Sequence, residues 1–143
     1  MDSIIAPAPG YSKKRLLYEI YYGFRPNKPT YTPEDYPDLT GKTALVTGCN
    51  TGIGKHVVEL LYQKNCNVIG VVRTHEKGDA ARDEIVNNNP ESNGKITVVG
   101  GCDYLDLAKI ATVSEKIKKA LGDKPLNIIV HNAGLMAPDN KGP

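Results

Sequence analysis

The chain has no tryptophan, one phenylalanine and only three cysteines, Cys49, Cys66 and Cys102. An odd number of cysteines with no Cys-x-x-Cys pair speaks against a disulfide framework and against a zinc knuckle. Asn-x-Ser/Thr sequons are also absent. Both absences fit a reducing compartment. No apolar run approaches the ~18 residues that a membrane-spanning helix needs. The first nine residues carry a single charge, Asp2, and lack the charged-then-apolar order of a secretory leader. A cytoplasmic protein is expected, or one peripheral to an intracellular membrane. The net charge of +2 is too small to imply nucleic acid without a clustered basic face. Hydrophobic residues make up 40% and charged residues 24%, which excludes disordered and fibrous classes. Its 143 residues suffice for one domain with a real core.

Composition changes near residue 40. Six of the eight tyrosines and six of the ten prolines fall within the first 37 residues. Residues 1–40 therefore read as a Tyr/Pro-rich arm, and 41–143 as the domain. Prolines interrupt ladders and helix interiors, so Pro26–Leu39 is expected to be extended. Between the proline clusters, Ser12–Phe24 is a candidate short helix. Leu16, Leu17, Ile20 and Phe24 form one apolar stripe at helical spacing, behind the basic run Lys13-Lys14-Arg15. Basic residues beside an aromatic stripe suit peripheral membrane contact through residues 13–24. An arm packed on its own domain is the competing reading.

From Lys42 onward, strand and helix patterns alternate. Strands are expected at Thr43–Thr47, Asn67–Val72, Lys95–Val99 and Leu126–His131. Helices are expected at Gly52–Lys64, with Ile53, Val57, Leu60 and Leu61 on one face, at Glu76–Asn88, and at Tyr104–Leu121 with Asp103 as N-cap. Short apolar strands alternating with helices imply a parallel α/β sheet, doubly wound through right-handed crossovers. The fourth strand is expected to leave an open apolar edge at Ile128, Ile129 and Val130.

The segment Thr47-Gly48-Cys49-Asn50-Thr51-Gly52-Ile53-Gly54 leaves a strand and opens a helix. Gly48 permits a sharp turn off the strand. Gly52 lets the backbone approach a pyrophosphate, and Gly54 allows close packing of the helix. The helix N-terminus then offers free N–H groups and the positive dipole end to phosphates. No Gly-Lys-Ser/Thr occurs, so this is not a Walker loop. Cys49 sits inside the loop as a small residue.

These residues carry a family resemblance. Thr47–Gly54 resembles the Thr-Gly-x-x-x-Gly-Ile-Gly signature of classical short-chain dehydrogenases/reductases. Asn132-Ala133-Gly134 resembles the family's Asn-Ala-Gly segment, here preceded by His131 where Asn is more usual. Asp103 follows the third strand, where the family places an Asp beside adenine. The resemblance spans about Asp38 to Pro138; the arm matches no motif of the family. It implies a Rossmann-type fold and a hydride-transferring oxidoreductase with a small carbonyl or alcohol substrate, homo-oligomeric at full length. It also implies that Asp103 and Tyr104 border the adenine, and that Asn132, Ala133 and Gly134 line the ribose side. Arg73 ends the second strand, where an NAD site of this design carries an acid; a guanidinium there forks onto a 2′-phosphate. NADP is therefore expected over NAD.

The family's proton donor is the tyrosine of Tyr-x-x-x-Lys. None of the eight tyrosines has a lysine four residues on. The motif follows the Asn-Ala-Gly segment in the family, so the chain is expected to be the N-terminal, cofactor-holding part of the enzyme, with no catalytic residue of its own. A non-catalytic dinucleotide-binding or redox-sensing module is the alternative.

Overall fold

The computed structural model describes Lys14, Leu17 and residues 32–134. By its internal contacts the chain divides into Met1–Thr32 and Pro33–Pro143. Lys14 and Leu17 are helical and exposed; the remainder of the expected arm helix lies outside the described residues. Of the segment expected to be extended, Thr32–Leu39 is described, and it contains a 3₁₀ turn at Pro33–Asp35.

Four strands follow, β1 (Thr43–Thr47), β2 (Asn67–Val71), β3 (Lys95–Val99) and β4 (Ile128–Val130). They alternate with helices α1 (Gly52–Gln63), α2 (His75–Asn88) and α3 (Leu107–Leu121). All pairings are parallel, in the order β3-β2-β1-β4. The order reverses at β1, which is the doubly wound, Rossmann-type arrangement. β1 is buried at all five positions, as a central strand must be. β4 is not: Ile129 is 53% exposed, and β4 pairs with β1 alone among the described residues.

Alternation along the strands sorts two cores. Ala44, Val46 and Val68 face α1 and α2, where they meet Val58, Leu61, Tyr62 and Ile85. Leu45, Ile69, Val71 and Val99 face α3 and pack against Val113, Ile117 and Ala120. Period-two alternation on the strands and period-3.6 stripes on the helices thus close both faces.

The buried face of α1 differs from the one expected. Gly54, Val58, Leu61 and Tyr62 are buried, whereas Ile53 is 77% exposed. The true stripe runs i, i+4, i+7, i+8 from Gly54, and Ile53 lies one residue off it at the open end of the helix. The helix expected from Tyr104 begins instead at Leu107, with Asp106 at the N-cap position. Asp103 is therefore not the cap; its carboxylate accepts from the Leu105 N–H at 3.1 Å and shapes the preceding loop. β4 is confined to three residues, and Asn127 just before it binds Thr43 through both its side-chain oxygen and its N–H.

Asn65 ends α1 in the left-handed region, at φ 64°. Short polar residues tolerate this conformation better than most. Its N–H returns to the Tyr62 carbonyl and that of Cys66 to Leu61, closing the last turn. Its side chain donates to Asp38 and accepts from the Asn93 N–H, both at 2.9 Å. One residue therefore ties the approach to β1, the end of α1 and the entry to β3.

Candidate functional site

The carboxyl ends of all four strands open onto one cleft of about 780 Å³. Ten of the thirteen residues singled out in the sequence line it: Gly48, Asn50, Thr51, Ile53, Arg73, Asp103, Tyr104, Asn132, Ala133 and Gly134. The other three, Thr47, Gly52 and Gly54, build its frame.

Thr47 is buried at the end of β1. Its hydroxyl accepts from the N–H groups of Asn132 and Ala133, at 3.1 and 3.0 Å. The Asn132 side chain donates back to the carbonyls of Thr47 and Gly48, both at 3.1 Å. The segment after β4 is thereby fastened to the glycine loop by four hydrogen bonds. Gly48 turns at φ 64°, and a Cβ on it would lie 2.9 Å from the Ala133 Cα. Gly54 is packed more tightly still. A Cβ there would fall 2.4 Å from the Gly48 carbonyl oxygen and 2.5 Å from Asn132 Nδ2. The third glycine thus brings the helix against its own loop and the Asn132 amide rather than against the sheet.

Gly52 is different. At φ 56° it opens α1, and a Cβ there would meet nothing within 4 Å. Thr51, the N-cap residue, makes no side-chain cap bond. The first N–H groups of α1 therefore lack the partner that a capping hydroxyl supplies, at the positive end of the helix dipole and beside the cleft that Thr51 and Ile53 line. That is the arrangement an anion takes at a helix N-terminus.

Arg73 follows β2 and is exposed in the same cleft; its carbonyl accepts from the Gly101 N–H at 3.1 Å, at the start of the loop that carries Asp103 and Tyr104. Burial pushes the Tyr104 phenol above its usual range; a hydrogen bond to Cys102 acts in the same direction and one with Thr47 opposes it. Cys49 points inward, with Sγ 4.0 Å from the Val71 carbonyl, and burial pushes its thiol up to about 11. A protonated, buried thiol is a packing group, not a reactive one. Val71, Val72, Cys102 and Leu105, which no sequence motif marks, also line the cleft. Only the order of the sheet places the ends of β2 and β3 beside the glycine loop, and no local pattern announces it.

A family model, short chain dehydrogenase, matches residues 42–142. The chain belongs to the short-chain dehydrogenase family. It is 33% identical over 141 residues to short-chain dehydrogenase/reductase bet4 of Neocamarosporium betae, covering 94% of this chain and 40% of that protein. It is 37% identical over 125 residues to short-chain dehydrogenase/reductase sthC of Phaeosphaeria nodorum, covering 87% and 38%. The chain thus spans about two fifths of the length of these relatives. The family model begins at residue 42, whereas the bet4 match extends well into the arm. Among solved structures, the NADPH-bound short chain oxidoreductase of Pseudomonas aeruginosa PAO1 with an atypical catalytic center superposes with a TM-score of 0.56. It is 31% identical, over 70% of this chain and 37% of that one. No helix among the described residues is long and apolar enough to cross a membrane.

Proposed function

We propose that this chain holds NADP(H) for an oxidoreductase that moves hydride between the nicotinamide and a small carbonyl or alcohol. The observation that carries the reading is the convergence on one cleft of the glycine loop and Arg73, with no carboxylate at the end of β2. The Pseudomonas relative, bound to NADPH, supports it.

The roles divide by chemistry. The N–H groups opening α1 receive the pyrophosphate, and Gly52 keeps the approach clear. Arg73 pairs with the 2′-phosphate through two parallel N–H donors. Asp103 and Tyr104 border the adenine, and because Asp106 stands at the helix cap, the Asp103 carboxylate is not committed there. Asn132, Ala133 and Gly134 line the ribose side, held in place by Thr47. Thr47 and Gly54 shape the site without touching the ligand. When bound, the dinucleotide supplies or accepts the hydride.

Fluorescence titration with NADPH and NADH tests the reading, with Arg73→Asp alongside. A charge-assisted pair is worth about 1.5–3 kcal/mol, so NADPH should bind roughly ten- to a hundredfold more tightly than NADH. The preference should vanish or invert in Arg73→Asp. Equal affinity for both in the unaltered chain would refute it.

A further inference from the structure

A second concavity, of about 710 Å³, lies away from the dinucleotide cleft along the outer edge of the sheet. The concavity wraps the edge: Val98 lines it on the α2 face, Val99 and Ala120 line it on the α3 face, and His75, Lys116 and Lys119 add its basic groups. No carboxylate lines it. His75 lies 3.4 Å from Asp79, which also binds Arg82. The other lysines of α3 are paired within their own helix end or turn, Lys109 with Asp106 and Lys118 with Glu115. Lys116 and Lys119 have no carboxylate partner among the described residues; Lys116 reaches only the Gly100 carbonyl, at 3.4 Å.

Among the described residues β3 is the outermost strand, paired with β2 on one side only. The Val99 carbonyl accepts from the Val72 N–H at 3.0 Å, so the Val99 backbone faces β2. Backbone direction alternates along a strand, and Ile96 and Val98 therefore turn their N–H and C=O groups to the free edge. A lysine on the edge strand itself would blunt such an edge. Here Lys95 stands only at its start, and the two unpaired lysines project from the neighbouring helix, above the groove. Among the described residues they leave the edge unpaired, and they make it cationic.

We propose that this edge docks an extended acidic segment of a partner protein, which adds to the sheet as a strand beside β3. Backbone hydrogen bonds to Ile96 and Val98 supply the pairing. Carboxylates at alternate positions of the added strand, about 6.6 Å apart, face Lys116 and Lys119, which rise about 4.5 Å along α3. Apolar residues at the positions between turn to the opposite face.

The test is fluorescence anisotropy of a labelled hexapeptide of alternating Val and Glu, with a Val-Lys hexapeptide and an N-methylated Val-Glu hexapeptide as controls. The full chain should bind the Val-Glu peptide at least about tenfold more tightly than either control. Lys116→Glu/Lys119→Glu should reverse the preference between the two charged peptides. Val98→Pro, at an N–H that the sheet does not use, should abolish binding while circular dichroism stays unchanged. The N-methylated peptide tests the backbone pairing with the protein unaltered. Equal binding of the two charged peptides, an unchanged preference in the double variant, or full binding of the N-methylated peptide would overturn the proposal. So would a dimer of the chain that is lost in Val98→Pro, because the edge would then serve a second copy.

Discussion

Alanine at position 54 sets two effects against each other. Gly54 lies in the first turn of α1, and alanine in a helix is ordinarily favoured over glycine by about 0.5–1 kcal/mol. The added methyl would stand 2.4 Å from the Gly48 carbonyl oxygen and 2.5 Å from Asn132 Nδ2. Neither neighbour can yield freely. Gly48 is backbone, and the Asn132 amide is held at 3.1 Å by two carbonyls. Relieving the clash means losing both of those hydrogen bonds, at about 1 kcal/mol each, on top of an overpacking penalty of about 1–3 kcal/mol. Once the propensity gain is subtracted, Gly54→Ala should destabilise the domain by about 2–4 kcal/mol, a fall in Tm of roughly 10 °C or more. Thermal and urea unfolding followed by circular dichroism measures this. Gly52→Ala is the control. Its methyl meets nothing, and only the left-handed backbone resists it, by about 1–2 kcal/mol. A Gly54→Ala protein as stable as the parent, or less affected than Gly52→Ala, would refute the packing of the loop against Asn132.

Further outcomes follow from the same geometry. Asn65→Ala should destabilise by about 2–3 kcal/mol in urea melts, since it loses two hydrogen bonds and strains a left-handed residue. Asn65→Gly removes the strain but not the lost tether, and should cost about 1 kcal/mol less. The Asn65 amide holds the Asp38 carboxyl below its ordinary value of 3.8, with Thr40 acting in the same direction. A depressed carboxylate contributes stability that is complete above its unfolded value and is lost as pH falls through the folded one. Urea midpoints should therefore drop below pH 3.8, and Asp38→Asn should remove part of that slope. Cys49, buried with its thiol pushed up to about 11, should react with a disulfide reagent at neutral pH about tenfold or more slowly in the native chain than in urea. Rapid native labelling at Cys49 would show that the loop opens.

Most of the secondary structure was legible because it rests on local chemistry. Short apolar runs rich in Val, Ile and Thr mark β1 to β3. The glycine loop was legible for the same reason: its conformational demands exclude other residues at Gly48 and Gly54. Where the reading slipped, two local signals competed. Asp103 and Asp106 both suit an N-cap, and the start of the helix at Leu107 selects the second. Ile53 matches a helical stripe on paper, yet the buried stripe of α1 runs through the tightly packed Gly54 to Val58 and Leu61 and leaves Ile53 exposed.

Residues close together in the chain are enough to specify the α/β class, the glycine loop and the arginine that follows β2. The arrangement of these parts belongs to the tertiary structure. Thr47 and Asn132 are 85 positions apart, and nothing local predicts that each would satisfy the other's polar groups. Burial of β1 leaves those groups no water, so the fold had to bring the two segments together. The edge of β3, unpaired among the described residues, and the two lysines beside it are decided in the same way. Strand order, not sequence pattern, determines which backbone remains unpaired and which helix stands over it.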